Sequence, residues 1–436
     1  MTIRTAGHRT NAATVATGGV ETGGVETGGV ETGSVETGTS WLIATVALAI
    51  LAIAYGGPLL SAIAMKPIAA DLGTARSAPA LAASLSYIGA GLGGIFMGWL
   101  SERVGLRAIV VFGATMIAAG MAISASGGLT ALYIGHGVFI GLFGASCMFS
   151  PIVTYISRWF DLRRGAAIAL ISSGQYIAGA VWPGVFQVAV EAAGWRHAMF
   201  YYAATVVVLV VPLALIFLRR PPEAPASGGA HHGPPPGTRV AGMHPNAALA
   251  VFCVAIFCCC VTMSMPMQHM VAFCSDIGIG PGRGAAMLSV LLGTAFFARQ
   301  FWGWLSDRIG GTWTVLWGSV SQAAAMTGFL LTQNEAGLFA VSVAFGLGFA
   351  GLIPAYVMAI REHFPAAEAG WRVPVTMFAG LLGMASGGWG AGALFDIFGT
   401  YGPSFATGLG FNFLNIFVML PFAMRERLAR PRPATA

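Results

Sequence analysis

Runs of apolar residues long enough to cross a bilayer recur along almost the whole chain, and no other feature restricts its folding as much. An α-helix rises ~1.5 Å per residue, so a ~30 Å hydrocarbon core takes about 20 apolar residues. Runs of that length predict spans near 41–64, 78–100, 107–125, 130–157, 165–188 and 197–218. Six more follow near 246–271, 284–305, 312–332, 336–360, 373–395 and 403–424. In lipid each backbone N–H and C=O must find a partner within the protein, which a helix supplies locally. The expected fold class is an all-α membrane protein, with twelve transmembrane helices in two six-helix pseudo-symmetric bundles. Of 436 residues, 56% are hydrophobic and only 9% charged, against about 25% charged in soluble chains. A surface so poor in charge excludes a water-soluble domain.

The remaining segments set the organisation. Residues 1–40 hold a five-residue repeat, Val-Glu-Thr-Gly-Gly, running from Val20 to Gly38. With no apolar side chains to offset the entropy of ordering, this tail is expected to be disordered. It lacks the basic start, apolar stretch and cleavage site of a signal peptide. Residues 41–218 form the first bundle, 219–245 a proline-rich linker, 246–424 the second bundle and 425–436 a polar tail. Placing the N-terminus in the cytoplasm puts Arg103, Arg107, Arg158, Arg163, Arg164, Arg219, Arg308 and Arg361 there with both tails. Lys66, Arg76, Arg196 and Arg283 remain outside. This asymmetry predicts a multi-pass protein of the cell (inner) membrane with both termini cytoplasmic. The net charge of +6 is thereby spread over loops, which argues against a nucleic-acid partner. Six cysteines lie mostly within apolar runs, where packing accounts for them. Cys258, Cys259 and Cys260 point about 100° apart on one helix and close no metal site by themselves.

The two halves repeat in detail. The turn Gly98-Trp99-Leu100-Ser101-Glu102-Arg103 returns about 205 residues later as Gly303-Trp304-Leu305-Ser306-Asp307-Arg308. Pro58 matches Pro266, and Pro151 matches Pro354, at nearly the same offset. Prolines at corresponding places in two halves point to a substrate site between them, although each alone also serves as a packing kink.

On these residues the chain resembles the major facilitator superfamily over about 41–424. The superfamily's loop signature, G-x-L-x-D-R-x-G-x-R, appears as Gly98, Leu100, Glu102, Arg103, Gly105 and Arg107, and in part as Gly303, Leu305, Asp307, Arg308 and Gly310. The first copy has Glu102 in place of aspartate, and the second has Thr312 in place of the closing arginine. The stretch Ser157-Arg158-Trp159-Phe160 with Arg163-Arg164-Gly165, then Gly194-Trp195-Arg196 and the span 8 arginine Arg299, are similar to the monocarboxylate porter and oxalate/formate antiporter branch. The resemblance implies the superfamily's fold and a secondary carrier. Departures are equally specific: Ala295 stands where animal monocarboxylate transporters have aspartate, Leu59 near their span 1 lysine, and no lysine occurs in span 11.

Arg299 is the main candidate for chemistry. An arginine at mid-span costs about 2.5–3.5 kcal/mol on insertion scales, and no carboxylate falls at a membrane-embedded position. A guanidinium facing a water-filled cavity suits a carboxylate substrate in a bidentate pair. The bland alternative is snorkelling, since the predicted span end lies only about six residues, ~9 Å, away. Tyr55, Gln175, Tyr176 and Tyr356 are candidate neutral helpers, or else aromatic and polar groups satisfied within the bundle. His269 and His136 are the titratable groups near neutral pH within spans and so candidates for proton coupling, with hydrogen-bonded packing as the alternative. Asp276 lies two helical turns from His269, which suggests an outer gate pair. Gly98 and Gly303 are expected to permit close helix approach. Glu102, Arg103, Arg107, Asp307 and Arg308 are expected to latch the cytoplasmic side when the carrier opens outward.

The reading is a secondary active transporter of a small, monocarboxylate-like organic anion, working by alternating access with proton coupling or anion exchange. The rivals are an exporter of drugs or metabolites and a non-transporting membrane sensor. No cofactor or metal is called for; the partners are the anion, the lipid bilayer and protons. With no P-loop or nucleophile motif in the sequence, neither ATP drive nor enzymatic catalysis is expected.

Overall fold

A computed structural model describes residues 37–160, 163–219 and 239–429 of the chain. Most of the repeat tail and most of the linker lie outside the described residues. The described helices of spanning length and apolarity are α1 (Gly38–Ile63), α2 (Ser77–Val104), α3 (Leu106–Ser126) and α4 (Leu129–Ile156), then the stretch Arg164–Phe217. After it come α7 (Pro245–Asp276), α8 (Pro281–Ile309), α9 (Gly311–Leu331), α10 (Glu335–His363), α11 (Glu368–Phe398) and α12 (Gly402–Arg427). Straight, the 54 residues of Arg164–Phe217 would run to about 80 Å, far beyond a bilayer. Gly194 resolves this: its backbone, at φ 79 and ψ 161, lies where only glycine is comfortable. It splits the stretch into α5 (164–193) and α6 (195–217), so the passes come to twelve, as the sequence predicts.

Boundaries move outward from the expected ones. The α8 helix runs through Asp307 and Arg308 to Ile309, which places Arg299 ten residues from its end, not six. Helical structure continues past α12 to Ala429, into what reads as a tail. Arg372, expected in a loop, lies inside α11 at 3% exposure and pairs with Glu368 at 2.6 Å.

Two large buried apolar clusters and a small third one of Met97, Ile109 and Cys147 form the interior of the described residues. Of the two large ones, the first is drawn mainly from residues 43–218 and the second mainly from 240–423. They interlock at the seam: Met65, Ala80 and Tyr176 of the first half pack in the second cluster, and Val271 and Ala285 in the first. Across that seam α2 lies against α11, and α5 against α8.

Three of the four paired prolines sit at the third position of a new helical segment, just after a break: Pro58 follows Tyr55, Pro151 follows Met148, and Pro354 follows Gly351. Proline removes the hydrogen bond to the carbonyl four residues back. Other side chains take over that acceptor. The carbonyl of Ala54, freed by Pro58, accepts from Tyr202 Oη at 3.0 Å. The carbonyl of Ala350, freed by Pro354, accepts from Tyr176 Oη at 3.4 Å, across the seam. At Pro266 the helix continues without a break.

Close helix approach falls elsewhere than the two signature glycines. A Cβ at Gly98 would make only an ordinary contact with Ser150, 3.7 Å away, and at Gly303 it would meet open space. Tight contacts occur between several other helix pairs: a Cβ on Gly93 of α2 would come within 2.2 Å of the Leu142 carbonyl of α4, one on Gly346 of α10 within 2.1 Å of the Leu291 carbonyl of α8, and one on Gly387 of α11 within 2.3 Å of the Val261 carbonyl of α7. Gly387→Ala is therefore expected to lower thermal stability in detergent by about 1–3 kcal/mol through overpacking, whereas Gly303→Ala should leave the unfolding midpoint unchanged or slightly raised.

Candidate functional site

Arg299 lies in the middle of α8 and faces the seam. Its guanidinium carbon is 5.5 Å from the centre of the Tyr176 ring, and it interacts with that hydroxyl. Nη1 is buried and has no hydrogen-bond partner. The side chain is thus neither out among headgroups nor paired with a carboxylate. Tyr176 also packs edge-on to Phe349, ring centres 6.0 Å apart. One tyrosine of the first half thereby touches both the break in α10 and the cation of α8.

The sequence candidates separate at this point. Tyr176 is beside Arg299, and Gln175 precedes it on an exposed position of α5 within reach of the Tyr176 hydroxyl. Tyr55, half-buried at the break in α1, is in electrostatic range of Tyr87 on α2, which in turn is in range of Cys260 on α7. Cys260 is also in range of Tyr176. Tyr87, Tyr176 and Cys260 thus share one packed cluster, with Arg299 beside Tyr176, while Tyr55 packs in the cluster of the first half. Tyr87, not among the sequence candidates, is a tyrosine in the middle of span 2, the same signal that marks Tyr55.

Tyr356 does not join them. It is fully buried and donates to Asn415 Oδ1 at 2.8 Å, in a network with Ser319, Asn412, Gln322 and Cys259 inside the second half. His136 likewise sits inside the first half. Its Nε2 meets Ser61 Oγ, and its Nδ1 lies 3.0 Å from Ser124 Oγ and 3.1 Å from the Leu132 carbonyl. Those contacts tie α1, α3 and α4 around a π-helical stretch, Gly135–Gly144.

At one end of the molecule polar side chains join the halves. Asp276, at the end of α7, pairs with Arg76 through both oxygens and with Lys66 at 3.0 Å. Lys66 also donates to Ser275 Oγ at 2.8 Å. Asp396 of α11 accepts from the backbone N–H groups of Arg76 and Ser77, each at 2.9 Å. A carboxylate of the second half thereby caps the N-terminus of α2 in the first, where the helix dipole favours negative charge. Arg76 lies 3.7 Å above the Phe395 ring and donates to Tyr401 Oη at 3.4 Å. His269 completes the cluster, with Nδ1 3.0 Å from Tyr401 Oη and Nε2 2.7 Å from the Gly388 carbonyl. The expected pairing of His269 with Asp276 is thus indirect, relayed by Tyr401 and Arg76. Sequence reading had no access to partners more than 300 residues apart.

The opposite end carries the repeated turns in equivalent but separate roles. Arg103 lies 3.9 Å over the Trp99 ring, and Arg308 lies 3.9 Å over the Trp304 ring. Glu102 pairs with Arg158 of the same half at 3.3 Å, and Arg107 donates to the Leu218 carbonyl at 3.0 Å. Asp307 is exposed.

Twelve apolar passes among the described residues, packed as two interlocked clusters with a buried cation and a cluster of ion pairs at the seam between them, define a polytopic membrane transporter. The chain belongs to the major facilitator superfamily, whose model matches residues 41–370. Among curated relatives it is 24% identical over 324 residues to monocarboxylate transporter 13 of Bos taurus, covering 72% of each chain. It is 26% identical over 381 residues to monocarboxylate transporter 11 of Homo sapiens, covering 85% of this chain and 72% of that one. Among solved structures, a POT family transporter in complex with 5-aminolevulinic acid matches with a TM-score of 0.69 at 13% identity, over 89% of this chain and 96% of that one.

The cluster around Asp276 makes a clear prediction. Asp276→Asn leaves Lys66 and Arg76 without their shared carboxylate, so the seam there should open more often. Ala80→Cys, fully buried against Gly392, should then be labelled by a thiol reagent several-fold faster than in the same variant with Asp276 intact.

Proposed function

We propose that the chain is a secondary carrier moving a small, monocarboxylate-like organic anion across the cell membrane by alternating access, driven by proton coupling or anion exchange. The observation that carries this reading is the buried, unpartnered Nη1 of Arg299 at the seam. A guanidinium with a free face in a low-dielectric site is costly until an anion meets it. A carboxylate does so bidentately, at little cost in conformational freedom. The relatives named monocarboxylate transporters support the same substrate class. Ala295, buried one turn before Arg299, supplies no competing carboxylate, so the substrate is the natural counter-ion.

Tyr176, Tyr55 and Tyr87 offer hydroxyls to orient the anion, with Gln175 at the edge of the site. Loaded, the site is neutral, and the halves can rock without carrying a bare charge through a dry barrier. The distribution of charge supports placing the Asp307 end in the cytoplasm. At the other end the cations are matched by acids: Lys66 and Arg76 with Asp276, Arg196 with Asp71 at 2.9 Å, and Arg283 with Glu335 at 2.5 Å. The arginines of the Asp307 end outnumber its acids, as expected for a cytoplasmic face. In this orientation the outer end is joined, and the latch formed by Gly98, Glu102, Arg103, Arg107, Gly303, Asp307 and Arg308 is disengaged. That latch would close when the outer end opens.

Purified protein should be stabilised in a thermal-shift screen by one or more small mono- or dicarboxylates, and the same anion should support counterflow in proteoliposomes. Arg299→Ala is expected to lose both the shift and the counterflow while keeping its unfolding midpoint. Arg299→Lys, which keeps the charge but not the fork, should weaken binding by roughly tenfold or more, on the scale of a lost charged hydrogen bond. Full counterflow by Arg299→Ala would end this reading.

A further inference from the structure

We infer that His269, with Tyr401 as its relay, is a proton-binding site that controls the gate between α2 and α11. The inference stands on the geometry of that end of the molecule and holds whatever the carried solute. A carbonyl oxygen only accepts, so Nε2 of His269 carries the hydrogen donated to Gly388. In the closed gate Nδ1 is then the acceptor for the Tyr401 hydroxyl, and the Tyr401 oxygen accepts from Arg76 Nη1. Every group in this chain has one role, and the arrangement is complete with a neutral imidazole.

A proton added at Nδ1 turns that acceptor into a donor. The Tyr401 oxygen then faces two donors, Nδ1–H and Arg76, and its own hydrogen loses its acceptor. The charges around the ring also fall out of balance. Arg76 of the α1–α2 connection and Asp396 of α11 act on the ring directly, and Asp276 of α7 and Lys66 of the short helix Met65–Asp71 complete the cluster through Arg76. The carboxylates are already engaged, Asp276 with both cations and Asp396 with the end of α2. An imidazolium makes a third positive charge in a cluster with two negative ones. Separation of the Arg76 turn from Tyr401 relieves both conflicts and lets water solvate the ring. The opened gate therefore binds a proton that the closed gate does not, and by linkage a lower pH shifts the population toward the open form.

The sequence spacing by itself pointed only to a helical pair, His269 with Asp276. The relay adds Tyr401 as the positioning residue through which the ring acts on Arg76. Spin labels at Ala75→Cys and Ile397→Cys, both exposed and on opposite sides of the gate, report its width by pulsed dipolar spectroscopy. Between about pH 8 and about pH 5 a histidine solvated by an open gate takes up a proton while aspartates remain ionised. The wild-type background should gain a longer-distance population at the lower pH, at least threefold larger than at the higher one. His269→Gln keeps an amide N–H for Gly388 and an oxygen toward Tyr401 but has nothing to titrate, and its distances should not respond to pH. Tyr401→Phe keeps the ring and its Gly388 bond and should blunt the response. A wild-type gate indifferent to pH overturns the inference, as does a response retained by His269→Gln. So does a His269→Gln gate already open at pH 8, which would make the ring a prop and no sensor.

Discussion

A charged guanidinium in the middle of a bilayer has to be met by water, by an acid or by a ligand, and the architecture follows from that requirement. In this chain the acids are kept away: Ala295 occupies the neighbouring turn, and the seam carboxylates Asp276 and Asp396 are committed at one end of it. Arg299 is held instead by an aromatic face and a hydroxyl from the other half. Tyr176 can provide them because its own hydroxyl is anchored on the Ala350 carbonyl, which Pro354 has released. The break in α10 and the cation of α8 are thus two parts of one arrangement, joined through a residue of the opposite half.

The ends of the seam differ in kind. At the Asp276 end the halves are joined by charge, by a cap across the seam and by an aromatic shelf under Arg76. At the Asp307 end each repeated turn is satisfied within its own half, by an arginine laid on a tryptophan four residues before it. A transporter needs two ends that close at different times, and alternatives of similar energy give it that. Partly exposed ion pairs suit such a closure, because water replaces them at modest cost.

Much of the fold was legible in the sequence. Apolar runs have the period and length of bilayer helices, and the glycine-led turns and prolines repeat at one offset because the halves share an architecture. Arg299 stood out since a lone charge in an apolar run has few explanations. Tyr356 and His136 were equally conspicuous, yet each is consumed by a network inside one bundle. A polar residue in a span looks the same on paper whether its helix turns it toward the seam or toward a neighbour. The same holds for Tyr87 in span 2.

The sequence by itself determined that the chain lives in lipid, crosses it repeatedly in two related halves, and carries one cation deep in the second. Those properties follow from composition and periodicity, which act along the chain. Only the tertiary structure decided what meets what: that Asp276 faces Lys66 and Arg76, that Asp396 caps a helix from the other half, and that His269 reaches Arg76 through Tyr401. Such partners lie hundreds of residues apart, and they are set by helix rotation and seam geometry, to which the apolar pattern of a membrane helix is largely indifferent.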